Sequence, residues 1–322
     1  MKTLTVRSND AGQRLDKFLT KSLPNLPQAL LYKYIRTKHI KRNGKRAQIS
    51  DRLCEGDTLE LYIRDEFFEK PRPQYDFMRA AKALDILYED DNVLLLNKKV
   101  GLLCHPDERE YGDTLIGRVQ RYLYEKGAYD PEAEQSFTPA LVNRIDRNTC
   151  GIVIAAKNAE ALRLLNSIVK TRQLHKQYIC VVHGRPPKAE DILEGYLVKD
   201  AGSNKVSVGP RALPGSKEIR TRYRVLETYR GLSLVEIELL TGRTHQIRAH
   251  MASVGCPLLG DGKYGTNAQN KAYGYKKQFL CARSLTFDFD RDNGILGYLD
   301  GRTFSLPEVW FETAFRDRSL WQ

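Results

Sequence analysis

The chain has 322 residues, with 52 Lys and Arg against 40 Asp and Glu and a formal net charge of +12 at pH 7. Its length predicts two domains, and a hydrophobic fraction of 41% excludes wholesale disorder because it is enough to build cores. The positive charge favours a polyanionic partner, nucleic acid first and an anionic membrane second.

The distribution of apolar residues and cysteines argues against several further classes of protein. No apolar run approaches the roughly eighteen residues of a membrane span, and the first residues lack the apolar core of a secretion signal. The six cysteines are scattered without a CxxC pair, which favours neither a zinc site nor a disulfide framework. We therefore expect a reduced, cytoplasmic protein that does not contact a membrane.

The first elements predict a small basic α/β unit. Apolar residues at helical spacing predict helices over 14–21 and 28–36. The pair Asn43-Gly44 is the preferred two-residue turn and predicts a hairpin over 40–49. Residues 56–63 predict a closing strand.

This unit resembles the alpha-L RNA-binding motif of the S-four type over roughly residues 12–65. The segments that match are Arg-Leu-Asp-Lys-Phe-Leu, Arg-Asn-Gly-Lys and Glu-Gly-Asp. A solvated cationic face is the alternative interpretation, but residues 17–50 contain nine Lys or Arg and no Asp or Glu. The resemblance implies that six cations face RNA phosphates: Lys33, Arg36, Lys38, Lys41, Arg42 and Lys45.

A segment with prolines among charged residues divides the chain. Pro71 and Pro73 predict a linker over 67–82. The linker would join an RNA-binding domain at 1–66 to a larger domain at 83–322.

The larger domain predicts an α+β fold. Residues 84–98 predict two strands around a polar turn, and residues 217–240 a hairpin that turns at Arg230-Gly231. Further strands are predicted at 176–183 and 278–289, and helices at 114–126, 158–169 and 245–254. Because no regular strand–helix–strand repeat occurs, we expect a central mixed, mostly antiparallel sheet flanked by helices and loops.

The most informative segment is Leu141-Val-Asn-Arg-Ile-Asp-Arg-Asn-Thr-Cys-Gly151. It places Asp146 between Arg144 and Arg147, ahead of an apolar run that predicts a buried strand. Neighbouring guanidinium groups favour the ionised form of a carboxylate even when it is partly desolvated. The arrangement suits a nucleophile or a base. A turn residue bonded to nearby backbone amides is the competing interpretation.

A second motif, Thr241-Gly-Arg-Thr-His-Gln-Ile-Arg248, adds arginines without another carboxylate. Together the two motifs resemble the signature of the RluA-type pseudouridine synthases, whose first motif usually reads His-Arg-Leu-Asp-Arg-x-Thr-Ser-Gly. Here Asn143, Ile145 and Cys150 replace the His, Leu and Ser of that pattern. The resemblance spans about residues 83–315.

The resemblance implies a role for each matched residue. Asp146 would be the catalytic carboxylate and Arg248 its buried ion-pair partner. Tyr178 would stack on the target uracil, and the resemblance leaves open whether it also acts on the proton at C5. The alternative interpretation is that Tyr178 is an ordinary half-buried aromatic residue of a strand. The substrate pocket would also contain Arg144 along the substrate's backbone or the wall, Ile247 as an apolar wall and Arg243 as a phosphate or carboxylate contact.

The implied reaction converts uridine in structured RNA to pseudouridine, in ribosomal RNA first and transfer RNA second. It breaks the N1–C1′ bond, turns the base and rejoins it through C5, so no cofactor or metal and no obligatory protein partner is expected. The site needs an anion near C1′ or C2′ of the ribose and a base flipped out of its helix.

Two rival functions remain at this stage. One is a non-catalytic RNA-binding or ribosome-assembly factor with the same two domains. The other is a carboxylate-dependent nucleoside or glycoside hydrolase, although glycosidases typically use a pair of acids.

Three minor features have plainer interpretations. Gly260-Asp-Gly-Lys-Tyr-Gly265 matches GxGxxG formally but follows no clear strand, so we interpret it as a loop beside the pocket. His245 and His250 lie five apart and are interpreted as packing or RNA-contact residues, not as metal ligands. Lys98 and Lys99 are predicted either to contact RNA or to lie in solvent at a strand end.

Overall fold

A computed structural model describes residues 1–69, 75–108, 110–199 and 205–321 of the chain. The strands of these ranges form two sheets, one of four strands near the amino terminus and one of eleven strands in the remainder.

The smaller sheet belongs to the basic unit and has the strand order β1-β4-β2-β3. All of its ladders are antiparallel. Two helices pack on it through a small apolar core that includes Leu15, Phe18, Leu31 and Ile35. Its elements are β1 (Lys2–Thr5), α1 (Leu15–Ser22), α2 (Gln28–Arg36), β2 (Ile40–Arg42), β3 (Lys45–Arg46) and β4 (Thr58–Leu61).

The predicted hairpin is present and shorter than expected. Asn43 and Gly44 adopt φ angles of 51° and 73°, the left-handed values that a two-residue hairpin turn of this type requires. Only Arg42↔Lys45 and Lys41↔Arg46 pair beyond the turn. The predicted closing strand is likewise confined to β4.

The larger sheet has the order β11-β10-β12-β13-β9-β14-β8-β6-β5, with β15 beside β14 and β7 beside β8. The β8–β14 ladder is parallel and the other described ladders are antiparallel, which confirms the α+β prediction. The elements are β5 (Ile86–Glu89), β6 (Val93–Lys98), α3 (Leu115–Glu125), β7 (Ala140–Leu141), β8 (Cys150–Ala156), α4 (Ala159–Lys170), β9 (Leu174–His183), β10 (Glu190–Lys199), β11 (Val206–Gly209), β12 (Lys217–Tyr229), β13 (Leu232–Leu239), α5 (Gln246–Ser253), α6 (Asn267–Tyr273), β14 (Leu280–Phe287), β15 (Thr303–Ser305) and α7 (Trp310–Arg316).

This sheet is apolar on both faces, because successive side chains along its buried strands point alternately into two cores. On β9, Ile179 and Val181 join the core that packs against α4 and α7. Tyr178 and Cys180, one residue out of step, join the core that packs against α3 and α5. The result is a three-layer domain, and the face that carries Tyr178 also carries the cavity described below.

The helix boundaries follow local capping chemistry. Thr114 precedes α3 and accepts a hydrogen bond from the amide of Gly117, and Asn158 precedes α4 and accepts one from the amide of Ala161. None of the described helices is both long enough and apolar enough to cross a membrane.

The two units are connected by side-chain hydrogen bonds as well as by the chain. Asn9 donates to Glu134, and Gln13 donates to Ser136, which itself donates to Asp10. Phe67, the first residue of the predicted linker, packs in the core of the basic unit. The linker prolines Pro71 and Pro73 lie outside the described residues.

Candidate active site

Asp146 lies on the loop between β7 and β8, and neighbouring segments hold that loop by its backbone. The carbonyl of Arg147 accepts hydrogen bonds from the amide of Gly101 at 2.8 Å and from Nζ of Lys98 at 3.1 Å. Cys104 donates to the carbonyl of Ile145. The carboxylate therefore projects from a loop whose main chain is fixed on both sides.

Lys98 corrects a prediction made from the sequence. It is fully buried, and its ammonium group donates to the carbonyls of Lys99, Leu102 and Arg147 at 2.7–3.1 Å. Burial lowers the pKa of Lys98 to about 8. Its side chain neither contacts solvent nor reaches RNA, because it anchors the Asp146 loop from inside. Lys99 is exposed and pairs with Asp85.

Arg248, in the first turn of α5, binds two carboxylates. Its Nη1 donates to Asp146 Oδ2 at 2.9 Å, while Nε and Nη2 donate to the two oxygens of Asp261 at 2.7 and 2.9 Å. Asp261 is fully buried. A second carboxylate, which neither motif supplies, therefore lies behind the arginine.

Asp261 belongs to the loop 260–265, which was predicted to lie beside the pocket. Its Oδ1 also accepts from the amides of Lys263 and Tyr264, so the carboxylate organises its own loop. The sequence indicated the loop but did not indicate a partner for its acidic residue. Its partner lies thirteen positions away on a helix, which local pattern does not reveal.

The charges of this cluster are mutually stabilised. Burial acts to raise the pKa of Asp261, but hydrogen bonds and the charge from Arg248 outweigh it and lower that pKa. Burial also opposes the charge of Arg248, yet its two carboxylate partners raise its pKa above the ordinary value. The guanidinium lies over the ring of Tyr264, 5.1 Å from the centroid. Arg248 is thus held in one charged, immobile position.

His245 also reaches this cluster. It precedes α5 with a left-handed φ of 55°, and its Nε2 lies 3.7 Å from Asp146 Oδ2. Its Nδ1 lies 3.0 Å from the hydroxyl of Tyr264. Burial lowers the pKa of His245, although the charge of Asp146 opposes this. His250, by contrast, is buried against Thr221, as a packing residue is.

These groups open into a cavity of about 360 Å³, within the size range of small-molecule sites. Tyr178 and Ile247 are buried in its wall, whereas Arg144 and Arg243 are exposed where it meets solvent. The structure brings together all six residues that the sequence predicted for the catalytic and pocket sets: Arg144, Asp146, Tyr178, Arg243, Ile247 and Arg248.

Tyr178 stands on β9 with its ring in the cavity wall. Burial raises the pKa of its hydroxyl, and the nearby charge of Asp146 raises it further. The side chain therefore stays a neutral phenol, which suits a flat surface against which a base can stack.

The two residues that depart from the usual first motif make backbone contacts. Asn143 accepts from the amide of Ile154 at 2.8 Å and lies within 3.4 Å of the carbonyl of Ile152, so it ties the loop to β8. Cys150 lies 3.6 Å from the carbonyl of Leu280. Asn143 and Cys150 therefore both contact the backbone of strands next to the loop.

The basic unit presents its predicted RNA contacts unevenly. Lys33, Arg36, Lys38 and Lys45 are exposed. Arg42 pairs at 2.6 Å with the buried Asp57 and so has a structural partner. The half-buried Lys41 is the sixth member of the set, and its ammonium lies 5.2 Å from the ring of Tyr62.

Among the described residues, no three His, Cys, Asp or Glu side chains lie together as the ligands of a metal ion would.

Comparison with known proteins identifies the family. The RNA pseudouridylate synthase family matches residues 92–253, and the S4 domain family matches residues 13–59. An uncharacterised RNA pseudouridine synthase of Mycoplasma pneumoniae is 31% identical over 95% of each chain. The chain belongs to the RNA pseudouridylate synthase family. It is an isomerase, an RNA pseudouridine synthase with an S4 domain at its amino terminus.

Other relatives extend this result. The ribosomal large subunit pseudouridine synthase C of Vibrio cholerae is 32% identical over 86% of this synthase and 85% of its own chain. The enzyme of that name from Haemophilus influenzae is 31% identical over 92% and 90%. The structure of human RNA pseudouridylate synthase domain containing 4 shares the fold, with a TM-score of 0.58 and 22% identity over 76% of this chain and 97% of its own.

Proposed function

We propose that Asp146 is the catalytic carboxylate of this pseudouridine synthase and acts on the ribose of a flipped uridine as nucleophile or base. The observation that supports this most strongly is the 2.9 Å hydrogen bond from Arg248 to Asp146 inside a nucleoside-sized cavity. A guanidinium at that distance places a positive charge beside the carboxylate and fixes its orientation. Only the anion can attack C1′ or remove a proton from C2′.

The other cavity residues would serve the base while it is detached. Tyr178 offers the stacking surface, and Ile247 closes the wall so that free uracil is not lost to solvent. Arg144 and Arg243, at the mouth, are placed to bind the phosphates on either side of the target nucleotide. Such contacts offset the few kcal/mol that flipping a base out of its stack requires.

The substrate we propose is ribosomal RNA of the large subunit, acted on in the cytoplasm, with transfer RNA as the second candidate. The names of several relatives support the first choice. We further propose the division into an RNA-binding domain at 1–66, a linker at 67–82 and a catalytic domain at 83–322. The exposed cations of the first domain would hold the RNA while the second acts.

The decisive experiment is Asp146→Asn, which removes the anion and keeps the shape of the side chain. We expect C5-proton release from tritiated RNA to fall by a factor of about 10⁴ or more. RNA affinity should stay within about twofold, since the phosphate contacts remain. Asp191→Asn is the matched control, because that half-buried carboxylate lies outside the cavity and forms an ion pair with Lys188.

Retention of a tenth of the normal rate by Asp146→Asn would refute the assignment of the catalytic carboxylate. The choice of substrate has a separate test. Pseudouridines mapped in total RNA from cells with and without the protein should differ at positions in large-subunit RNA; a difference confined to transfer RNA would select the second candidate.

A further inference from the structure

Lys176 lines the cavity and has no part in the mechanism above. It stands on β9 two residues before Tyr178, so both side chains project from the same face of the sheet. Its ammonium lies against Gly242 of the second motif, where a Cβ would be only 3.4 Å away. The absence of a side chain at Gly242 thus leaves room for the cation.

No hydrogen bond or ion pair joins the side chain of Lys176 to any other residue that the structure describes. Burial alone lowers the pKa of its ammonium, and no carboxylate acts against that effect. The contrast with Arg248, which holds two carboxylates, is sharp. A half-buried cation without a counter-charge is unfavourable for the protein, so its place in the cavity points to an anion that arrives with the substrate.

The reaction itself generates such an anion. When the N1–C1′ bond breaks, the electron pair stays with the base, and the negative charge spreads over N1, O2 and O4 of uracil. We propose that Lys176 is a further catalytic residue whose ammonium stabilises the departing uracil anion. The inference rests on the proposed function, because it requires that the base be detached in this cavity.

The step balances on either route for Asp146. If the carboxylate attacks C1′, its bond to carbon forms as the bond to N1 breaks, and the charge passes from Asp146 to uracil. If it removes the C2′ proton, a C1′=C2′ double bond forms as the base leaves with the charge, and Asp146 gives that proton back to C2′ when C5 attacks C1′. Attack by C5 on C1′ then returns the charge, the C5 proton is transferred to N1, and Lys176 keeps all its protons throughout.

Exposure to solvent distinguishes Lys176 from Arg144 and Arg243. Arg144 and Arg243 are exposed, so water screens their charges and they suit phosphates outside the cavity. The ammonium of Lys176 lies in a less polar place, where a charge that develops during the reaction is stabilised more strongly. It acts on the base, and Arg248 acts on the carboxylate.

The test compares Lys176→Met and Lys176→Arg with the unaltered protein in single-turnover reactions at saturating RNA. Loss of one such charged group typically slows chemistry about 100-fold. We expect a loss of that size for Lys176→Met, with RNA affinity changed less than about twofold, and partial recovery of the rate in Lys176→Arg. Lys188→Met, at an exposed position, is the matched control and should keep the full rate.

A second measurement separates catalysis from damage to the fold. Because Lys176→Met removes a poorly compensated charge, its melting temperature should equal or exceed that of the unaltered protein. An unaltered rate in Lys176→Met would overturn the inference, and so would a defect confined to RNA affinity, which would indicate a phosphate contact. If Asp146→Asn is inactive in the same assay, the proposed function survives either result.

Discussion

The basic unit and the catalytic cavity both depend on cationic side chains, and they use them in opposite ways. In the basic unit most of the cations are exposed around a small core, although Arg42 pairs with the buried Asp57. In the cavity, Arg248 and Asp261 are buried and bonded to each other. The first arrangement attracts a long polyanion, and the second fixes one carboxylate.

The difference shows that net charge is informative about partners and not about chemistry. The charge of +12 predicted nucleic acid and is reflected in the exposed surface of the basic unit. The chemistry of the cavity depends on individual hydrogen bonds that are shielded from water, where the loss of one partner is costly. Replacing a buried charged residue should therefore lower stability and the rate of the reaction, whereas replacing an exposed one should mainly weaken RNA binding.

The largest effect should come from Arg248→Met. It leaves Asp261 buried without its cation, which typically costs 3–5 kcal/mol of the free energy of unfolding. Activity should fall at least about 100-fold, because Asp146 loses its partner as well. Chemical denaturation and C5-proton release measure the two effects.

An exposed pair provides the control for that variant. Arg222 donates to Glu238 at 2.6 Å on the surface of β12, and Arg222→Met should cost less than about 1 kcal/mol. Equal destabilisation by the two variants would contradict the contrast between buried and exposed charge.

The next effect should be a dependence of stability on pH through His250. Burial lowers the pKa of His250 to about 4 from an ordinary value of 6.5. Between those values the unfolded chain binds a proton that the folded protein does not, so stability is full above pH 6.5 and falls as the pH drops to 4. The loss attributable to this residue amounts to about 3 kcal/mol.

Denaturation at several pH values checks this expectation. In His250→Gln the decline of stability between pH 6.5 and 4 should be shallower than in the unaltered protein. His39→Gln changes an exposed histidine of the basic unit and is the matched control. Parallel curves for the unaltered protein and His250→Gln would show that His250 is not held neutral by the fold.

The smallest effect should come from the exposed cations of the basic unit. Replacing Lys33, Arg36 and Lys38 with Gln should weaken RNA binding at moderate salt by roughly tenfold and leave the rate at saturating RNA unchanged. The slope of log affinity against log salt should become shallower by roughly 2–3, since each lost phosphate contact removes about 0.7–0.9.

Arg42→Gln sharpens this test within the same unit. Arg42 is paired with Asp57, so its loss should lower stability and leave the salt slope nearly unchanged. If Arg42→Gln flattened the slope as much as any of the other three, Arg42 would be a phosphate contact despite its pair.

The sequence predicted much of the fold because the relevant signals are local. The turn at Asn43-Gly44 and the periods of apolar residues depend on neighbours within a few positions. The helix predicted to end near 169 ends at Lys170, and the hairpin turn is at Arg230-Gly231 as expected.

What the sequence did not reveal depends on packing between distant segments. Lys98 was predicted at a surface, yet it is bonded to a carbonyl 49 residues away. Asp261 pairs with Arg248, and the spacing of apolar residues does not predict that the loop carrying Asp261 folds back onto the helix carrying Arg248. Lys176 lies two positions from a predicted site residue, but the absence of a partner for it among the described residues depends on how distant segments pack around it.

The way Arg248 is bonded has a consequence for changing the target of this enzyme. With Nε, Nη1 and Nη2 all directed at Asp146 and Asp261, the side chain has little freedom to turn toward an incoming polynucleotide. Lysine could not replace it, because one ammonium cannot reproduce a planar fork that spans two acids. Changing the RNA target should therefore require substitutions at the rim of the cavity and in the basic unit, while Arg248 and its two carboxylate partners are kept.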